Sequence, residues 1–243
     1  MGDDSLEGRM ECLVVDLGVG VDYDKCHELQ KDLVARRASG QIPNVLLLLE
    51  HSHVITIGRD GQDMEQHLKH PREEIERAGV GVRAVERGGH ATYHGPGQLV
   101  AYPILQLASQ TNPVAAAKQF ADRLELVAYR VLAEYLPAGL SVGSSRAFGV
   151  WYGDRKIASS GVKVEASGVT WHGVAINVST DLTKFGYILP CGFPSEVMAS
   201  LQAVLGREVD MNELKQRFVR HFAKEFNLTP RHIAATALPE LGN

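Results

Sequence analysis

Apolar residues in this 243-residue chain come in short bursts. The longest uninterrupted aliphatic run, VLLLL at 45–49, falls far below the roughly twenty residues that span a bilayer. A run of that length suits a strand covered on both faces. A second pattern, one apolar residue every three or four, marks amphipathic helices. The two patterns alternate along the chain. Strands are expected at 12–16, 45–50, 54–57, 82–85, 98–105, 148–152, 156–165 and 169–178. A first helix starts behind Asp22 and stops at Gly40, and a short one follows Pro71. A longer helix has Asn112 as its cap and Pro113 at its first position, and ends at 137–139. A last helix follows Asp210, with Leu214, Phe218, Phe222 and Phe226 facing inward. The fold class expected is α/β (α+β), a mixed β-sheet flanked by helices.

No repeat or linker divides the chain. The expected organisation is an N-terminal tail at 1–10, one catalytic domain at 11–229 and a loosely held C-terminal tail at 230–243. Hydrophobic residues make up 44% and charged residues 22%, which excludes wholesale disorder. The net charge of −4 makes nucleic acid or an anionic membrane a poor partner. The first ten residues carry neither a basic stretch nor an apolar one, so a cytoplasmic location is expected. Three cysteines, Cys12, Cys26 and Cys191, have no CxxC spacing and are expected as thiols. His51/His53, His67/His70 and His90/His94 have ligand-like spacings, but no HExxH accompanies them and no metal is expected. Residues 139–143 spell GxSxG, but they follow the end of a helix where that motif needs a strand, a turn and a helix.

Four segments are unusual. Residues 87–98, RGGHATYHGPGQ, put four glycines, two histidines, an arginine and a tyrosine into twelve positions, which suits a loop that lets backbone approach a ligand. It is neither a P-loop nor GxGxxG. Residues 153–163 carry Lys156 within RKIASSG. Residues 169–177 place His172 in an apolar strand. Residues 190–192 set Cys191 between proline and glycine, on a turn.

In this order and spacing the segments resemble the lipoyl(octanoyl) transferases, also called lipoate–protein ligase B, over residues 13–226. The RGGxxTYHGPGQ string carries most of the specificity. Departures from the family pattern are His90, Ser159-Ser160, residues 198–200 and Phe148. The resemblance implies a fold shared with lipoate and biotin ligases. It implies an octanoyl (or lipoyl) group moving from octanoyl-acyl carrier protein to a lysine of lipoyl domains, those of 2-oxoacid dehydrogenases and the glycine cleavage H protein. The donor thioester is already activated, so no ATP and no cofactor are expected. By the same resemblance Cys191 is the nucleophile and Lys156 its base. Arg87, Gly88, Gly89, His90, Ala91, Thr92, Tyr93 and His94 then meet the substrate, with Ser159, Ser160 and Gly161, and with His172, Gly173 and Val174. Backbone N–H groups near Cys191 and in the glycine-rich loop are the expected oxyanion donors. The rival readings are an ATP-dependent lipoate- or biotin-type ligase and a non-catalytic acyl-binding protein.

Overall fold

A computed structural model describes residues 9–60, 64–107, 112–136, 138–143, 148–190 and 195–238. Eleven strands and five α-helices are assigned among them. The chain begins with strand β1 (Met10–Val21) and helix α1 (Tyr23–Ala38), whose Asp22 cap accepts from the Lys25 N–H. Strands β2 (Asn44–His51) and β3 (Val54–Ile57) follow, then α2 (Arg72–Arg77), β4 (Gly81–Ala84), β5 (Ala91–His94) and β6 (Gln98–Ile104). Helix α3 (Pro113–Ala133) has Asn112 accepting from the N–H groups of Val114 and Ala115. Next come β7 (Leu140–Val142), β8 (Val150–Tyr152), β9 (Arg155–Val164) and β10 (Thr170–Asn177). The chain ends in α4 (Leu201–Leu205), α5 (Met211–Phe226) and β11 (Leu228–Ile233).

Eight strands form one mixed sheet in the order β11-β1-β2-β6-β10-β9-β8-β7. β1 runs parallel to both its neighbours, and the pairs from β2 to β7 are antiparallel. Strand alternation divides the core. Leu46, Leu48, Leu99 and Val174 pack with α3 and α5 through Phe120, Leu124, Phe218 and Phe222. Leu47, Leu49, Val100 and Tyr102 face α1 through Cys26 and Leu33. Both faces are covered, so all eight residues of β2 are buried. A smaller sheet, β4-β3-β5, packs on Phe185 and Ile188.

Two expectations are corrected. Residues 228–233 are not a loose tail: they pair with β1 from Met10↔Leu228 to Val15↔Ile233, and Leu238 beyond them is buried. The strand would otherwise leave β1 as an open edge, and its own outward, polar residues with Pro230 suit an edge position. Part of the glycine-rich segment is also regular, because residues 91–94 form β5 against β3. The GxSxG letters fall on edge strand β7, outside the context the motif requires.

Candidate active site

The loop ahead of β5 spends its donors on its own framework. Arg87 is buried, and its Nη2 donates to the carbonyl and hydroxyl oxygens of Thr56 at 2.8 and 2.9 Å and to the His90 carbonyl at 2.9 Å. Nη1 donates to the Gly88 carbonyl at 3.0 Å. The Gly88 N–H goes to the Val162 carbonyl at 3.1 Å, and the Gly89 N–H to the Asp60 carboxylate at 2.6 Å. The loop lies so close over Gly58 that a Cβ there would stand 2.3 Å from the Gly89 carbonyl oxygen. Of the loop N–H groups from which oxyanion donors are expected, these two are therefore already engaged within the protein. Half-buried donors need partners, and Val162 and Asp60 supply them.

The remaining loop residues turn toward one cavity. Arg87, Gly89, His90, Ala91, Thr92 and His94 line it from one side. Ser159, Ser160 and Gly161 of β9 and His172, Gly173 and Val174 of β10 line it from the other, with Tyr23 and Tyr102. Two residues of the expected set lie elsewhere. Tyr93 alternates to the opposite face of β5, where its ring meets Phe185 at 5.4 Å and its hydroxyl bonds His53 Nδ1 at 2.6 Å. Gly88 lines a neighbouring groove that shares Gly89, Ser160 and Gly161 with the cavity. Gly173 admits no side chain, since a Cβ there would come within 1.9 Å of the Ala101 carbonyl oxygen.

Burial keeps three histidines around this cavity, His51, His94 and His172, neutral. It pulls His51 down to about 4 and His94 to about 3, the His51 ring adding to the effect on His94. His51 Nδ1 donates to the Val21 carbonyl at 2.9 Å, leaving Nε2 to accept from the Tyr102 hydroxyl at 2.9 Å. His172 is also held well below its usual value, by burial first and then by the Arg87 guanidinium. It adopts φ +55°, and its Nε2 is buried without a hydrogen-bond partner among the described residues. That nitrogen lies 4.0 Å from Glu86 Oε2, which His27 Nε2 contacts at 2.9 Å. This trio, rather than the pairs suggested by spacing, is the cluster among the described residues whose donors could surround an ion. Arg87 and Lys163 put positive charge beside it, which opposes a dication.

A chain of hydrogen bonds crosses the sheet from the loop to Lys156. His94 Nδ1 donates to Gln98 Oε1 at 2.6 Å, and Gln98 Nε2 donates to the Tyr93 carbonyl and to Asn177 Oδ1 at 3.0 and 2.9 Å. Asn177 Nδ2 donates to the Ala199 carbonyl at 2.9 Å, and the Ala199 N–H donates to the Lys156 carbonyl at 2.9 Å. Lys156 is 2% exposed, and its Nζ lies 5.8 Å from the Trp151 ring centroid. Burying a lysine that deeply is rare without a polar partner or a chemical task.

Cys191 and residues 192–194 lie outside the described residues. The chain on either side is described. Before it, the Leu189 N–H donates to the His67 carbonyl at 3.0 Å, and the His67 ring packs on His90 of the cavity at 5.4 Å. After it, Met198 bridges to Lys156.

The family model for the lipoyl protein ligase A/B catalytic domain matches residues 22–223. The chain belongs to that family. An octanoyltransferase of Solibacter usitatus is 43% identical over 217 residues, covering 89% of this chain and 93% of its own. Another, from Syntrophobacter fumaroxidans, is 38% identical over 231 residues, covering 95% and 96%. Among solved structures, the putative lipoate protein ligase Ta0514 of T. acidophilum superimposes with a TM-score of 0.72 at 18% identity, covering 95% of this chain and 91% of its own. Lipoate-protein ligase A bound with ATP gives 0.68 at 16% identity, covering 96% and 91%. These two likenesses establish the shared fold.

Within this lipoyl ligase fold, one ionisable side chain escaped the sequence reading. Glu125 of α3 is 1% exposed. It accepts a short hydrogen bond from the Ser160 hydroxyl. Its helical spacing was the available signal, since 125 shares a face with Ala121, Ala128 and Leu132, all buried.

Proposed function

We propose that this octanoyltransferase carries an octanoyl (or lipoyl) group as a thioester on Cys191 while Lys156 moves the protons. The donor is octanoyl-acyl carrier protein. The acceptors are lysines of lipoyl domains in 2-oxoacid dehydrogenases and of the glycine cleavage H protein. The Cys191 thiol gives its proton to the Lys156 amine, and its sulfur attacks the donor carbonyl. The new C–S bond forms as the donor C–S bond breaks, and the departing carrier thiolate takes the proton from Lys156. In the second half the acceptor amine attacks the enzyme thioester and loses a proton to Lys156. Cys191 leaves as thiolate and recovers that proton. Two thioester–acyl exchanges balance without ATP.

The observation that carries this reading is the anchoring of the chain around Cys191: through His67 to the cavity wall before it, and to Lys156 after it. The acyl chain would enter between loop, β9 and β10, where glycine and serine leave room, and each buried methylene would contribute about 0.8 kcal/mol. Intact-mass spectrometry of the enzyme mixed with octanoyl-acyl carrier protein tests it. Wild type, Cys12→Ser and Cys26→Ser should each gain one octanoyl group. Cys191→Ser should gain none, and Lys156→Ala should acylate far more slowly than Lys163→Ala. An adduct that survives in Cys191→Ser, or transfer that requires ATP, overturns the proposal.

A further inference from the structure

Ala158, Ser160 and Val162 alternate onto the face of β9 that α3 covers, where Ala158 and Val162 join the core around Leu124 and Val127, and Lys156 precedes them across an irregularity in the β8–β9 pairing that sets it opposite Trp151. Glu125 enters that apolar contact from α3. Its Oε1 accepts from the Ser160 hydroxyl, and the Gly149 N–H also bonds the carboxyl. Gly149 meanwhile lies directly against the lysine stem: a Cβ there would stand 2.6 Å from Lys156 Cε. The carboxyl and the lysine chain therefore flank the same glycine. Glu125 Oε2 is buried and has no hydrogen-bond partner among the described residues.

We propose that Glu125 is a positioning residue for the transfer, its carboxyl holding the Lys156 head in place and stabilising its ammonium form. The inference rests on Lys156 being the proton carrier. A buried carboxyl surrounded by hydrocarbon is costly when charged and needs an opposing group to be retained as anion. Burial pushes Glu125 up to about 7, while the Ser160 hydrogen bond and the Lys156 charge pull the other way. The carboxyl thus changes charge near neutrality, beside a lysine that must take a proton and return it twice per turnover. Ser160 also lines the cavity, so the same hydroxyl links the carboxyl to the acyl site.

The test is the pH dependence of single-turnover acylation by octanoyl-acyl carrier protein, read by mass spectrometry in wild type, Glu125→Gln, Ser160→Ala and Lys156→Ala. Glutamine keeps the volume and can still accept from Ser160 but removes the charge. Without the anion the ammonium releases its proton more easily, so the acid limb should move about one pH unit downward while the maximal rate falls about tenfold. Ser160→Ala should move the limb the same way by less, and it keeps the inference testable if Glu125→Gln does not fold. A Glu125→Gln rate lowered uniformly, with its limb where wild type has it, marks a merely structural role and overturns the proposal. A Lys156→Ala profile equal to wild type removes the lysine reading itself, and the inference with it.

Discussion

Cys12 and Cys26 sit in the cores on opposite faces of the sheet, at 1% and 2% exposure. Burial, chiefly, pushes both thiols up to about 12. Thiolate is the reactive form, so neither can act as nucleophile or be alkylated while the chain is folded. Iodoacetamide at pH 8 should leave both unmodified in the native enzyme and label both after denaturation, as read by peptide mass spectrometry. Native labelling of either would contradict its burial. Arg87 teaches a different lesson at this scale. A residue beside two glycines reads as a substrate donor, yet its guanidinium is bound to Thr56, Gly88 and His90 carbonyls that no local pattern could reveal. Glu125 was hidden for the mirror-image reason: a glutamate in a helix reads as solvated, and only the packing of α3 on β9 buries it.

Elements with strong periodicity or caps were legible. The helices behind Asp22, Asn112 and Asp210 lie where their caps place them, because capping is a local hydrogen bond between neighbours in sequence. Strands β2 and β10 were visible as apolar runs. Strand β11 was not, since an edge strand with one buried residue at its start carries no alternation to read. Its contribution is measurable. Deleting residues 228–243 removes the ladder to β1 and the burial of Leu228 and Leu238. The loss should be roughly 4 kcal/mol at about 2 kcal/mol per buried leucine, with a lower melting temperature and self-association through the open β1 edge on size-exclusion chromatography. A truncated enzyme that melts with the full chain and stays monodisperse would contradict this role.

At the scale of the whole molecule, buried histidines make stability depend on acid. His51 and His94 are neutral in the folded chain down to about 4 and 3, and burial holds His172 well below its usual value too. Unfolded, each takes a proton near 6.5. Below that pH the unfolded chain binds more protons, so the stabilisation is complete above 6.5 and is lost as pH falls toward the folded values. Glu125 acts oppositely: its folded carboxyl takes a proton near 7, the unfolded one near 4.5, so acidification across that window favours the fold. Three histidines outweigh one carboxyl. Between pH 7 and 5 the net loss should be about 3 kcal/mol, or about 10 °C in melting temperature for a chain of this size. Calorimetry checks it, and a melting temperature flat or rising over that interval would contradict the neutral histidine cluster. The same arrangement explains why the site was only partly legible: the glycine-rich string, Lys156 and His172 are local signals, whereas the route from His94 through Gln98, Asn177 and Ala199 to Lys156 exists only once β5, β6, β9 and β10 are assembled.

The most direct measurement is a chase. Octanoyl-enzyme is separated from its donor, then mixed with a lipoyl domain in the absence of ATP and carrier protein. The account expects one equivalent of octanoyl to leave Cys191 and appear as an amide on the acceptor lysine, at a rate no slower than steady-state turnover. An isolated adduct that stays on the enzyme, while the complete mixture continues to turn over, would contradict the covalent relay.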